Sequence, residues 1–275
     1  MADTVYVMDF RQFDLDAFQG KKYGTIVCDA AWLYNDAKLI RKDGKTPSRG
    51  VGACHTYAQM QTPEIAAMPI AELANGQSML HLWGTCPLMS DAFQVVERWG
   101  YRCVTVGVFW AKMNPKAWQD ADIWRKAYME TWCNDAPAFE RIAEVMNKLT
   151  RANPGYYSMS NVEFVLLGAR GDKAYHWADG HKPRQVVWWP MLEPSRKPEI
   201  FQSIIEASWP QAGPRLELFS RRYREGWDHA GLEADGHMRR EISGSSWIEV
   251  RPDVLDCQGV RRSYSEWKGT ENGRD

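Results

Sequence analysis

The chain contains no cysteine pair placed to grip a metal or to work as a redox couple. Cys28, Cys54, Cys86, Cys103, Cys133 and Cys257 lie far apart, with no C-x-x-C and no cysteine–histidine spacing that suits zinc. Reduced thiols in a cytoplasmic protein are therefore expected, and no metal. Long apolar runs are absent as well: none approaches the roughly 18 residues of a membrane span, and the first twenty residues carry Asp3, Asp9, Arg11, Asp14 and Asp16, too many charges for a signal peptide. Net charge is also lacking, at −1, so any polynucleotide partner must be met by local basic clusters rather than a global field. No glycine-rich phosphate fingerprint occurs, which argues against a nucleoside-triphosphate or dinucleotide enzyme. Neither an internal repeat nor a low-complexity tract is present.

What is present is enough for one full core: 275 residues, 44% hydrophobic and 25% charged. The 14 tryptophans are too many for core packing alone to be assumed, since an indole also stacks on bases. Along the chain, Tyr23–Asp29 reads as a buried strand ending on an acid. Residues 35–52 are polar and glycine-rich, a loop. Thr62-Pro63-Glu64 opens a helix running toward Ala74 with Pro69 as an interruption. Strands over Ser78–Gly84, Arg102–Trp110 and Val162–Gly168 alternate with a helix over Pro87–Trp99. A strand near 185–188, a helix over Pro198–Trp209 and a strand over Arg215–Phe219 follow. This alternation predicts an α/β fold, Rossmann-like, with a mostly parallel central sheet and helices on both faces. Residues 116–152, with Ile123, Ala127, Phe139, Ile142 and Val145 at helical spacing, predict an inserted helical pair at about 115–153. The expected organisation is one domain over 1–236 and a C-terminal extension over 237–275 with no clear period.

The strand-end acid opens Asp29-Ala30-Ala31-Trp32. An exocyclic amine conjugated to an aromatic ring is a poor nucleophile. A carboxylate and a backbone carbonyl on a rigid turn can accept its protons and draw it toward tetrahedral geometry. Asp29 and the Ala30 carbonyl suit that role, with Trp32 placed to stack on a base taken out of its helix. Alone, Asp-x-x-Trp is weak, and a strand end with a core tryptophan fits equally.

Several ordered segments add to it: Thr56-Tyr57-Ala58-Gln59-Met60, Leu82-Trp83-Gly84-Thr85, Phe109–Asn114, Asn161-Val162-Glu163, Ser195–Ile200, Leu216–Arg221 and Gly226-Trp227-Asp228. In this order the sequence, from about Asp9 to about Gly236, resembles the MT-A70 family of N6-adenine methyltransferases. The family includes the catalytic subunit of the eukaryotic messenger-RNA adenosine methyltransferase and many bacterial and phage DNA methyltransferases. The family's usual turn is Asp-Pro-Pro-Trp; here both prolines are alanines.

The resemblance implies S-adenosyl-L-methionine as methyl donor, with Asp29, Ala30, Ala31 and Trp32 as the catalytic turn. It implies Lys197 as the partner of the methionyl carboxylate, at a helix start whose free N–H groups also favour an anion. Asp9 and Phe10 match a segment near the cofactor's adenine, and Phe219 and Arg221 a strand end beside it. Gly231-Leu232-Glu233 replaces the family's Gly-Asn-Gln, leaving Glu233 to accept from a ribose hydroxyl. Tyr57 matches a tyrosine beside the substrate pocket, and Lys112 and Asn114 lie in a matched segment, also near substrate. Lys38, Arg41, Lys42, Lys45 and Arg49, set against Asp43 alone, suit phosphate contacts on the loop after the turn. His81 reads as a core histidine. The expected reaction is methylation of adenine N6, with DNA favoured over RNA and a homodimer allowed. RNA adenosine, cytosine N4 and a silent nucleic-acid-binding subunit are the alternatives.

Overall fold

The computed structural model describes residues 3–34, 59–132, 138–154, 158–172, 175–191 and 196–235, and in the C-terminal part 237–243, 246–252, 254–255 and 261–262. Strand β1 (Val5–Val7) leads through two short 3-10 turns to β2 (Tyr23–Cys28), whose six residues are all buried. A strand with no polar alternation is covered on both faces, and β2 lies in the middle of the sheet. Helix α1 (Thr62–Ala67) starts one residue earlier than its sequence suggests: Gln61, not Thr62, is the cap, in a reciprocal box with Glu64. It stops before Pro69, and a 3-10 turn at Ile70–Leu73 feeds β3 (Ala74–Gly84). Helix α2 (Met89–Arg98) buries Ala92, Val95 and Val96, one stripe at helical spacing, and Gly100 ends it at φ +74°. Strand β4 (Arg102–Met113) then leads into α3 (Pro115–Gln119), α4 (Ala121–Trp132) and α5 (Ala138–Leu149).

Where a helical pair was expected, the insertion consists of three helices. They close over a small core of their own, in which Met113, Ala117, Ala127, Val145 and Leu149 are buried. Ile142, read from its spacing as core-facing, is instead 57% exposed. A short ladder of β5 (Asn153–Pro154) and β6 (Met159–Ser160) returns the chain to β7 (Val162–Arg170). The core is completed by β8 (Val186–Pro190), α6 (Ile200–Ser208), β9 (Arg215–Leu218) and β10 (Asp228–Gly231).

The eight-stranded sheet has the order β1-β10-β9-β2-β3-β7-β4-β8. Every pairing is parallel except those of β7, which runs antiparallel to both β3 and β4. Residues alternate between two cores. Ile26, Cys28, Leu80, Leu82, Phe164 and Leu166 face α1 and α2, whereas Val27, Met79, Trp83 and Val165 face α6 with its Phe201 and Ile205. The expectation of a Rossmann-like α/β fold holds. Beyond residue 236 the chain is not featureless, as its sequence suggested: β11 (His237–Ser243) and β12 (Ser246–Pro252) form an antiparallel hairpin. Its irregular register, with shifts at Met238/Arg239 and Glu241/Ser243, is why no period-two pattern was visible. No helix among the described residues is long and apolar enough to cross a membrane.

Strand β2 is where the order reverses: the chain after it builds outward through β3 on one side and later through β9 and β10 on the other. In open α/β sheets the carboxyl end of such a strand is a crevice, because the neighbouring connections leave in opposite directions. Asp29 stands at that end.

His81 is a core histidine, as expected. It is 6% exposed, faces α6 beside Trp209, and has no hydrogen-bond partner for Nε2. Burial lowers its pKa from 6.5 to about 4. The unfolded chain therefore binds the extra proton between those values, so stability is complete above about 6.5 and declines toward pH 4. At about 1.4 kcal/mol per pH unit, this accounts for ~2 kcal/mol between pH 7 and pH 5. Denaturant titrations at both pH values should show that difference shrinking by about this amount in His81→Leu, whatever the variant's absolute stability. An unchanged pH dependence would assign the acid sensitivity elsewhere.

Candidate active site

Asp29 continues the alternation of β2, so its side chain emerges on the α6 side, level with the start of that helix. The turn after it is tied by short hydrogen bonds. Trp32 N donates to Ala30 O at 2.9 Å, Met60 N to Ala31 O at 2.7 Å, and Leu33 N to Met60 O at 2.9 Å. The segment before α1 thus clamps the turn, and the rigidity that prolines would add is supplied partly by Met60. The Trp32 ring is not available for a base. It is 4% exposed within the α1/α2 core, and its indole N–H donates to Trp83 O at 3.1 Å. The core-tryptophan reading was the right one, because the ring packs into the core on the α1/α2 side of the sheet, at the end of β3.

The aromatic that does face the site is Tyr34, which was not singled out in the sequence. Its hydroxyl lies 3.2 Å from Thr85 Oγ1, and the charges of Lys197, Glu163 and Asp29 all act on it. Burial pushes its pKa to about 12, so its hydroxyl stays neutral. Its spacing of two from Trp32 was the available signal.

The centre of the site is a row of alternating charges. Lys197 Nζ is 2.9 Å from Asp29 Oδ1 and 3.2 Å from Glu163 Oε2, while Lys112 Nζ is 2.6 Å from Glu163 Oε1. Two acids and two bases balance, which is the condition for keeping such charges in a crowded wall. The floor is indole: Lys197 Nζ sits 5.4 Å from the Trp83 ring and Lys112 Nζ 5.4 Å from Trp110. Burial pushes the Asp29 carboxyl above its ordinary range, opposed by Lys197 and reinforced by Glu163. Burial acts on Glu163 in the same direction, but Lys197 and Lys112 together outweigh it and hold Glu163 below the usual range. Glu163 Oε2 is close enough to Lys197 for ion pairing yet makes no aligned hydrogen bond.

Lys197, which the resemblance sets against the methionyl carboxylate, lies between two of the chain's own carboxylates, Asp29 and Glu163. Lys112, read as a substrate contact, is likewise buried, 7% exposed, and paired to Glu163. Asn114, read the same way, caps α3 by accepting from Lys116 N at 3.0 Å. Glu163 was noticed only as part of a matched segment; its position at the start of antiparallel β7, level with the carboxyl ends of β2 and β4, is a fact of topology.

The residues read as cofactor contacts assemble on the other side of Asp29. Phe219 adopts φ 59° at the end of β9, and its ring stacks on Phe10 with centroids 3.9 Å apart at 24°. That distance leaves no slot for a third ring between them. Phe10, 5% exposed, therefore backs Phe219, and only Phe219 offers a partly open face. Asp9 caps its own turn and binds Arg11 at 2.7 Å, so its charge serves locally. Arg221 Nε donates to Glu233 Oε2 at 2.8 Å, and Arg221 adds to the positive field on Asp29. Glu233 is 5% exposed. It is held through Arg221 rather than presented openly, contrary to its expected role toward a ribose.

Gly231 explains the tight junction: a Cβ there would lie 2.5 Å from Ser220 O and 2.8 Å from Ser220 N. Behind it, buried Ser220 and His229 and half-buried Glu217 bond to one another, with Ser220 Oγ 3.0 Å from His229 Nδ1 and 3.2 Å from Glu217 Oε2. This fixes the strand ends that carry Phe219 and Arg221. Tyr57 and the basic residues Lys38, Arg41, Lys42, Lys45 and Arg49 lie outside the described residues.

The MT-A70 family model matches residues 23–136 and 133–233, nearly the whole of the described sheet and insertion. A curated relative, the Type II methyltransferase M.MunI from Mycoplasma sp, is 25% identical over 221 residues, which is 78% of this chain and 78% of that protein.

Proposed function

We propose that this chain, which belongs to the MT-A70 family of methyltransferases, transfers a methyl group from S-adenosyl-L-methionine to N6 of adenine in DNA. The observation that carries this reading is the Asp29–Lys197–Glu163 bridge at the switch point of the sheet. It sets an ionisable carboxylate and an adjacent backbone carbonyl where an exocyclic amine can give both protons as hydrogen bonds.

The residues suit the cofactor. The Asp29 and Glu163 carboxylates offset the two lysines, so that a sulfonium is not repelled, the partly open face of Phe219 suits an adenine, and the Arg221 guanidinium offers donors to a ribose or carboxylate. Bound there, S-adenosyl-L-methionine would supply an electrophilic methyl group.

The chain's own part is electrostatic and positional. Asp29 Oδ accepts one amine proton and Ala30 O, through its remaining lone pair, the other, which localises the nitrogen lone pair toward the methyl group. Lys197 favours the ionised form of Asp29 against the effect of burial, and Glu163, held by Lys112, keeps Lys197 in place. Tyr34 supplies the aromatic face once assigned to Trp32. With the methyl group supplied by the bound cofactor, Asp29 would be placed to take the proton that the amine sheds. DNA is favoured because the similar M.MunI is a Type II methyltransferase.

The test is transfer of a labelled methyl group to unmethylated DNA and to RNA, followed by mass spectrometry of the nucleosides. N6-methyladenine from DNA is expected. Label recovered as N4-methylcytosine, or in RNA alone, would overturn the assignment of base or polymer.

A further inference from the structure

We propose that Trp118 and Trp189 form a stacking platform for a base flanking the target in unpaired DNA, an inference that rests on the function proposed above and extends it along the sheet edge. Trp118 lies on α3, which leaves the carboxyl end of β4, and is 44% exposed. Its ring meets that of Trp189, on edge strand β8, at 5.3 Å and 49°. Lys112 and Trp189 are register partners on neighbouring strands, so their side chains rise from the same face of the sheet. A continuous row therefore runs from Asp29 through Lys197, Glu163 and Lys112 to Trp189 and the open face of Trp118.

The surroundings favour a phosphate backbone. Lys116 is exposed on the same short helix, and Arg151, also exposed, is anchored to the end of β4 before that helix by its backbone N–H on Lys112 O at 2.7 Å. Asp120, at the end of α3, is the nearest acid in sequence. Exposed indoles interleaved with cations are how unpaired strands are held without sequence readout.

Two other exposed tryptophans show why this one is singled out. Trp177 is covered by Lys182 at 4.3 Å and sits at the far end of α6, where Ala178 N bonds Ser208 O. Trp188 is 41% exposed, but as the neighbour of Trp189 in a strand it points to the opposite face, away from the acids and bases of the site.

The test compares Trp118→Ala, Trp118→Phe and Trp188→Ala for binding of a fluorescent single-stranded DNA oligonucleotide and for methyl transfer to that oligonucleotide and to an adenine dinucleotide. Trp118→Ala should raise the oligonucleotide Kd and KM roughly tenfold with kcat unchanged and the dinucleotide unaffected. Trp118→Phe should recover most of the loss, and Trp188→Ala should match the parent. If Trp118→Ala binds and methylates the oligonucleotide as the parent does, the platform is wrong while the proposed function stands. A dimer seen by sedimentation that Trp118→Ala dissociates would overturn it in favour of a second copy, and a Trp118-dependent affinity for RNA alone would overturn the choice of strand. If the parent binds the oligonucleotide through Trp118 but methylates nothing, the platform stands and the proposed function fails.

Discussion

Replacing Asp29 by alanine is expected to abolish methyl transfer, lowering kcat by about a thousandfold or more, because one substitution removes two things. The first is the acceptor that orients the amine; losing a single preorganised hydrogen-bonding group in a transition state costs roughly a hundred- to a thousandfold. The second is charge balance. Without Asp29, Glu163 alone faces Lys197 and Lys112, and the pocket gains positive charge where a sulfonium must bind. Asp29→Asn separates the two effects. It keeps an acceptor oxygen and loses only the charge, so it should retain more kcat than alanine while weakening cofactor affinity to a similar degree. Ala30→Pro should keep or raise activity. The Ala30 N–H reaches the Cys28 sulfur rather than a backbone carbonyl, whereas the Trp32 N–H that closes the turn is untouched. A compatible proline adds about 0.4–1 kcal/mol through the unfolded state. Single-turnover rates for the three variants would decide this, and full activity in Asp29→Ala would remove the mechanism.

The turn illustrates what a sequence can carry. Asp29 was legible because a buried strand ending on an acid has a local signature, and the ordered segments around it fixed the sheet to which it belongs. Trp32 was misread as a stacking ring because spacing gives the distance of a side chain from the acid but not its direction. Packing into the core on the α1/α2 side of the sheet decided that direction. Lys197 was found, but its immediate partners were not, since an ion pair joins residues from distant segments and leaves no periodic trace. Glu163 is the clearest case: its importance comes from β7 running antiparallel, which brings the strand's first residues, not its last, to the functional edge. The C-terminal hairpin was invisible for a different reason, as a bulged ladder breaks the alternation by which strands are recognised.

Lys197→Met should lower kcat about a hundredfold and move the acid limb of the pH–rate profile upward. The sign follows from the groups around Asp29. Its carboxyl must be ionised to accept the amine protons, so activity falls as the pH drops through its pKa, which burial already holds above the ordinary value near 3.8. Lys197 is the chief opposing influence and Glu163 adds to the rise, so removing the ammonium lets the pKa climb further. Glu163→Gln takes away the like charge instead and should shift the same limb downward. Opposite displacements from two adjacent substitutions cannot come from general loosening of the fold, which is the usual objection, since breaking a buried pair costs about 3–5 kcal/mol. Lys197→Arg, which keeps the charge, should leave the limb near its original position even if kcat suffers. If Lys197 acted mainly on the methionyl carboxylate, methionine there would raise the cofactor's Kd and leave the acid limb where it was. The pH profile, read beside cofactor affinity, therefore distinguishes a lysine that tunes the proton-accepting carboxylate from one that only grips a ligand.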